Sequence, residues 1–126
     1  MSGAELLPLL SEIEKRGGPL RVFSQEFRQG FYETFTAWTV NLAFPSGNAV
    51  RSIRMVEDDT PIAPSDYWTI VGALMENEER LALSYRADYA EWRAVVIDDP
   101  LVHGDPSPVD AVCRAWLAAH PEPADV

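Results

Sequence analysis

Apolar residues recur along this chain in two rhythms, one helical and one alternating. Leu6, Leu9, Leu10 and Ile13 step by i, i+3, i+4 and i+7, which lays them on one helical face. Ser2 and Glu5 match a capping box, yet Pro8 would then delete a backbone bond inside the helix. The pattern therefore predicts a first helix that starts near Leu7 or Pro8 and ends at Gly17, where glycine can take a left-handed stop.

From Pro19 to Asp59 the rhythm changes to aromatic, β-branched and Thr-rich alternation, which predicts strands. Leu20, Val22 and Phe27 mark the first, and Gln29-Gly30 a tight turn. Residues 31–44 form a long second strand with Trp38, Val40, Leu42 and Phe44 on one face. Phe31 and Phe35 fall on the other face, so either both faces are covered or a bulge re-aims the first half. Pro45-Ser46-Gly47-Asn48 reads as a turn, and 49–57 as a third strand carrying Val50, Ile53 and Met55.

A polar, Pro-punctuated connector, EDDTPIAPSD, leads into a second helix started by Pro64, Ser65 and Asp66. Its stripe is Tyr67, Ile70, Val71 and Leu74. It should stop near Glu76 or Asn77, because Glu76, Glu78 and Glu79 would face the negative end of the helix dipole. Leu81, Leu83 and Tyr85, then Trp92, Ala94 and Val96, alternate around a turn at Asp88. That is a hairpin, although one helix over 65–93 is the competing assignment. The last helix has Ser107 as N-cap, Pro108 in the first position, and a stripe of Val109, Val112, Cys113, Trp116 and Leu117.

These elements add up to one α+β domain over 1–126, in the order α-β-β-β-α-β-β-α, with a frayed tail over about 120–126. The sheets should be antiparallel, with helices on one face or between two small sheets. Phe35, Trp38, Val40, Leu42, Ile70, Val71, Leu74, Trp92, Val96, Val112, Trp116 and Leu117 are the expected core.

Charge changes the picture more than composition does. The 47% hydrophobic and 24% charged content is ordinary for a globular chain. The net charge of −10, however, is lopsided. Residues 1–56 hold five acids and six bases, for +1, and residues 57–126 hold fifteen acids and four bases, for −11. Direct contact of the second half with nucleic acid would be repulsive, whereas a basic protein surface would be steered to it. No apolar run is long enough for a membrane span, and the start of the chain does not read as a secretory signal. With a single cysteine, no intrachain disulfide can form, so a cytoplasmic location is expected.

Potentially reactive groups concentrate in DDPLVHGDPSPVDAVCRAWLAAH, residues 98–120. Cys113 lies mid-stripe and should be a buried small hydrophobe, whereas a nucleophilic thiol needs an electropositive, partly exposed setting. His120 is two helical turns away, badly placed as its base. Asp98, Asp99, His103 and Asp105 supply donors for a divalent cation, but the alternating acids, central Gly and closing Glu of an EF-hand are missing. Neither a Gly-rich phosphate loop nor GxSxG, HExxH or CxxC occurs, so no cofactor is expected and the chain reads as non-enzymatic.

Residues 91–119 resemble the strand, loop and (S/T)P-x-x-A-x-C-R-A helix that closes small phage-encoded α+β proteins, on Ser107, Pro108, Ala111, Cys113, Arg114 and Ala115. Those are cap and core positions, so the resemblance implies a fold and a viral origin, with the host cytoplasm as setting, and no activity. Three functions are weighed. The first is an acidic binding protein, such as a phage accessory or anti-defence protein, whose carboxylates imitate phosphates and occupy a basic, nucleic-acid-handling surface of a host protein. The candidate partner-binding residues are Glu57, Asp58, Asp59, Glu76, Glu78, Glu79, Asp88, Glu91, Asp98 and Asp99. The second is an immunity or antitoxin-like protein neutralising one cognate nuclease. The third is a small enzyme using the 98–105 loop. An exposed sheet edge must be paired or protected, which leaves room for a homodimer.

Overall fold

A computed structural model describes residues 1–44 and 49–122. Their order is α1 (Gly3–Lys15), β1 (Leu20–Gln29), β2 (Glu33–Phe44), β3 (Ala49–Met55), α2 (Pro64–Asn77), β4 (Leu81–Arg86), β5 (Glu91–Val96), β6 (Val102–Asp105) and α3 (Pro108–Ala119). This is the expected α+β class with antiparallel pairing, and it adds a strand, β6, inside what the sequence shows as a Pro/Gly/Asp loop. The turn expected at 45–48 lies outside the described residues, as does the end of the tail.

The first helix begins one turn earlier than its proline suggests. The Ser2 hydroxyl accepts from Glu5 N–H at 3.3 Å, and the Glu5 carboxylate accepts from Ser2 N–H at 3.3 Å, so the capping box forms. Pro8 is exposed, which leaves the Ala4 carbonyl it cannot engage on the solvent side. At the other end Gly17 N–H donates to the Glu14 carbonyl and Gly18 N–H to Ile13, with Gly17 at φ +83°. This paired closure needs a left-handed residue, hence glycine.

β1, β2 and β3 form one sheet with β2 central, and β4, β5 and β6 form another with β5 central. α1 and α2 rest on the first sheet, against β1 and β2 respectively. α3 lies on the second sheet and packs against both other helices. The helices thus fill the space between two small sheets. Leu6, Leu10, Ile13, Val40, Leu42, Ile70, Leu74, Val112, Cys113 and Trp116 are buried in one continuous cluster. The Trp116 indole N–H donates to Asn77 Oδ1 at 3.0 Å, tying α3 to the end of α2.

In the first sheet the register runs unbroken from Leu20↔Leu42 to Gln29↔Glu33, so no bulge re-aims β2. Leu20, Val22, Trp38, Val40, Leu42, Ile53 and Met55 share the inner face. Phe23, Phe27, Phe35 and Ala37 share the outer face. Phe35 is 40% exposed, which corrects its assignment to the core, and Trp38, Trp92 and Leu117 are half-buried rather than buried. The β1–β2 hairpin simply outruns the helices that cover its base. The tail is also tied further than expected: His120 caps α3, and Glu122 pairs with Lys15 at 2.9 Å.

Candidate partner-binding site

Three acidic residues, one from the start of α1 and two from the passage of β6 into α3, line one cleft of about 310 Å³. Its walls are Met1 and Glu5 from the start of α1, Tyr67 from the first turns of α2, and Asp105, Pro106, Ser107, Pro108 and Asp110 from the passage of β6 into α3. Each acid is there for a local reason. Glu5 closes the α1 capping box, Asp105 Oδ1 accepts from Ser107 N–H at 2.8 Å, and Asp110 sits in the first turn of α3, where the helix dipole favours an anion. Asp105 closes the turn into α3 by accepting from the N–H of the N-cap residue, while the Ser107 side chain, expected to cap the helix, makes no capping bond.

The bonds seen engage Glu5 Oε1, Asp105 Oδ1 and Asp110 Oδ1, the last paired with Arg114 Nε. An ionised carboxylate has about four lone-pair sites, so each retains capacity to accept more. With Arg114 set against Asp110, the acids Glu5 and Asp105 outnumber the one amino group, that of Met1, among the cleft's walls. Met1, Tyr67, Pro106 and Pro108 give it apolar flanks. Tyr67 also begins an aromatic run, packing on Trp68 at 5.8 Å between ring centroids, with Trp68 on Trp92 at 5.2 Å and Trp92 on Tyr85 at 5.0 Å. Carboxylates beside aromatic and apolar walls suit a cation with a greasy stem, as lysine and arginine side chains are.

The ten carboxylates expected to bind a partner fall into three places. Glu57, Asp58 and Asp59 follow β3 and flank the start of α1, where Ala4 N–H donates to the Asp58 carbonyl and Met1 carbonyl accepts from Ile62 N–H. Asp58 lines a separate pocket with Gly3, Arg54 and Ile62 and accepts from Thr60 N–H at 2.8 Å, while Glu57 accepts from the Trp38 indole at 3.1 Å. Glu76, Glu78, Glu79, Asp98 and Asp99 gather where α2 gives way to β4 and where β5 ends. Asp88 and Glu91 sit at the far end of the β4–β5 hairpin, about 17 Å away by strand rise.

Several of these acids are already partnered. Glu78 is buried and makes two contacts with the Arg80 guanidinium, at 2.8 and 3.3 Å, and one with His120 Nε2 at 2.8 Å. The Arg80 guanidinium holds its carboxyl down to about 2, against the desolvation that opposes ionisation. Asp88 is drawn below the usual carboxylate range by Arg86, and Glu91 pairs with Arg93 at 2.8 Å.

No family model, curated protein or solved structure matches this chain. The 98–120 stretch must therefore be judged by its geometry. Cys113 is fully buried, and burial pushes its thiol well above its ordinary value. His120 stacks on Trp116 at 4.0 Å. Asp98 and Asp99 precede β6 and Asp105 ends it, so the strand's own rise of about 10 Å lies between them. Among the described residues no group of three His, Cys, Asp or Glu side chains is placed to hold an ion. His103 sits on the strand between them with its Nε2 buried and unpartnered among the described residues.

Sequence reasoning passed over Glu5, Tyr67 and Asp110 as site residues because each has an ordinary structural explanation. Glu5 and Asp105 are a hundred positions apart, so spacing could not join them. Only the docking of the α1 start against the β6–α3 turn does.

Proposed function

We propose that this chain is a non-enzymatic binding protein that engages a basic protein surface, with one cationic side chain of the partner seated between Glu5, Asp105 and Asp110. The observation that carries this reading is that three acidic residues, from α1, β6 and α3, line one cleft with apolar flanks. Glu57, Asp58 and Asp59 add a negative field that would speed encounter with a positive partner and weaken with salt. A protein that handles nucleic acid must present a basic groove, so such a partner would be blocked from its own substrate. Two settings suit that role, a phage accessory or anti-defence protein and an immunity protein for a cognate nuclease. The genes on either side of this one separate them.

The test uses a fluorescent nona-arginine peptide and amide substitutions that keep hydrogen-bonding shape while removing charge. The triple variant Glu5→Gln, Asp105→Asn, Asp110→Asn should weaken binding at least tenfold. Asp88→Asn with Glu91→Gln, at the far end of the second sheet, should change it less than twofold. Equal losses in both variants would reduce the effect to net charge and remove the cleft from the account.

A further inference from the structure

We propose that the outer face of the β1–β2–β3 sheet is the interface of a two-fold symmetric homodimer, a surface separate from the acidic cleft. Helices cover the inner face of this sheet, while the outer face presents Phe23 at 37% exposure and Phe35 at 40%. Phe27 stacks on Phe35 with ring centroids 5.5 Å apart, and the Arg54 guanidinium lies 4.2 Å over the Phe27 ring. Between these rings sits Ala37, fully buried beneath its larger neighbours. Phe31 and Tyr32 at the hairpin tip are 95% and 99% exposed. A contiguous aromatic surface of this kind on a sheet face is a site of association.

The charges on that face select the occupant. Its rows, read along the hairpin, are Arg21–Asn41, Phe23–Thr39, Gln25–Ala37, Phe27–Phe35 and Gln29–Glu33. A two-fold axis in the plane of the interface, across the strands at the Gln25–Ala37 row, turns the face onto a second copy with the strands reversed. Phe23 of one copy then meets Phe27 of the other. Arg21 at the base of one meets the row that ends in Glu33 at the tip of the other, twice over by symmetry. Along the hairpin the two-fold thus sets aromatic rows on aromatic rows and Arg21 near Glu33, while Arg54, the outward residue of β3 opposite Thr39, stays on the Phe27 ring of its own copy.

A polyanion is the weaker occupant. Residues 20–55 carry Arg21, Arg28, Arg51 and Arg54 against Glu26 and Glu33, for +2, so the remainder of the chain carries −12 and would repel a phosphate backbone. β3 ends opposite Trp38, so the matched rows belong to β1 and β2, and two strands about 4.8 Å apart over nine residues give roughly 300 Å² of flat area per copy before the tip is added. That is small for a lasting interface, so dimerisation in the micromolar range is expected.

Sedimentation equilibrium from about 1 to 300 µM is the test, with circular dichroism confirming that each variant is folded. The wild type should move from monomer to dimer across that range, and Phe35→Ser should remain a monomer throughout. Arg21→Glu alone and Glu33→Arg alone should each weaken association at least tenfold, and the double charge swap should restore it to within about threefold. A wild type that is monomeric at every concentration overturns the proposal. So does a dimer indifferent to Phe35 or to the charge swaps, or wild-type binding of a labelled oligouridylate that Phe35→Ser abolishes. None of these results bears on the nona-arginine measurement, so the cleft and this face stand or fall separately.

Discussion

Glu78 follows the end of α2 in an extended conformation, with φ −119° and ψ 97°, and this backbone turn carries its carboxylate inward. There it meets Arg80 two positions on and His120 forty-two positions on. Read along the chain it is one glutamate of an acidic run, so it is indistinguishable from Glu76 or Glu79 until α3 is docked. Its folded-state carboxyl is held near 2, below the ordinary value of 4.5. A depressed carboxyl contributes stability above its unfolded value, and that contribution fades as pH falls from about 4.5 to about 2. Arg80 is half-exposed, so screening limits the contribution to about 1–2 kcal/mol. Glu78→Gln should therefore be less stable than wild type by about that amount at pH 7 in urea titrations, and the two should converge between pH 4.5 and 2. A constant difference across that window would show that the loss is one of packing. Cys113, by contrast, was legible from its place in the α3 stripe. Because it is fully buried, labelling by a thiol reagent should proceed only as fast as α3 opens, and should accelerate in step with the urea unfolding curve.

At the scale of elements, period was the reliable signal and local conflict the misleading one. α2, the β4–β5 hairpin and α3 stand where their stripes and alternations place them. α1 carries two opposed signals, the Ser2–Glu5 box and Pro8. The box prevails because it closes two backbone donors at once, while the proline faces outward and leaves only one carbonyl open. It is also anchored from outside, since Ser2 bridges to Pro61 and Ala4 N–H to the Asp58 carbonyl. Ser2→Ala should cost about 1 kcal/mol by thermal denaturation, and amide exchange at Ala4 and Glu5 should rise with it. β6 was invisible for the opposite reason. Four residues with glycine in the third position have no usable alternation, and only pairing with Trp92–Val95 makes them a strand. The β1–β2 hairpin was legible in extent but not in exposure. Alternation assigns Phe35 to a face, and says nothing of whether a helix covers that face.

For the whole molecule, the lopsided charge written in the sequence resolves into acids at the start of α1, at the α2–β4 junction and at the far end of the β4–β5 hairpin, set against an aromatic outer sheet face with Arg21 and Arg54 on it. Two electrostatic effects then compete. Among the described residues, pairs such as Arg86–Asp88, Arg93–Glu91, Arg16–Glu12 and Lys15–Glu122 favour the folded state and are weakened by salt. Such pairs contribute roughly 0–1 kcal/mol each when exposed. Against them stands the self-repulsion of a compact chain with a net charge of −10, which salt relieves. The repulsion acts among all the unpaired carboxylates together. At 10 mM ionic strength the screening length, about 30 Å, spans most of the molecule, whereas at 0.5 M it falls to a few ångströms. The collective term should win. Raising sodium chloride from 10 mM to 0.5 M should increase the melting temperature, by about 3–5 °C for each kcal/mol of repulsion relieved. The control is chemical: neutralising Asp59 and Glu79 as their amides should raise the low-salt melting temperature and flatten the salt dependence. A melting temperature that falls with salt in the wild type would instead place the ion pairs above the net charge as the electrostatic determinant of this fold.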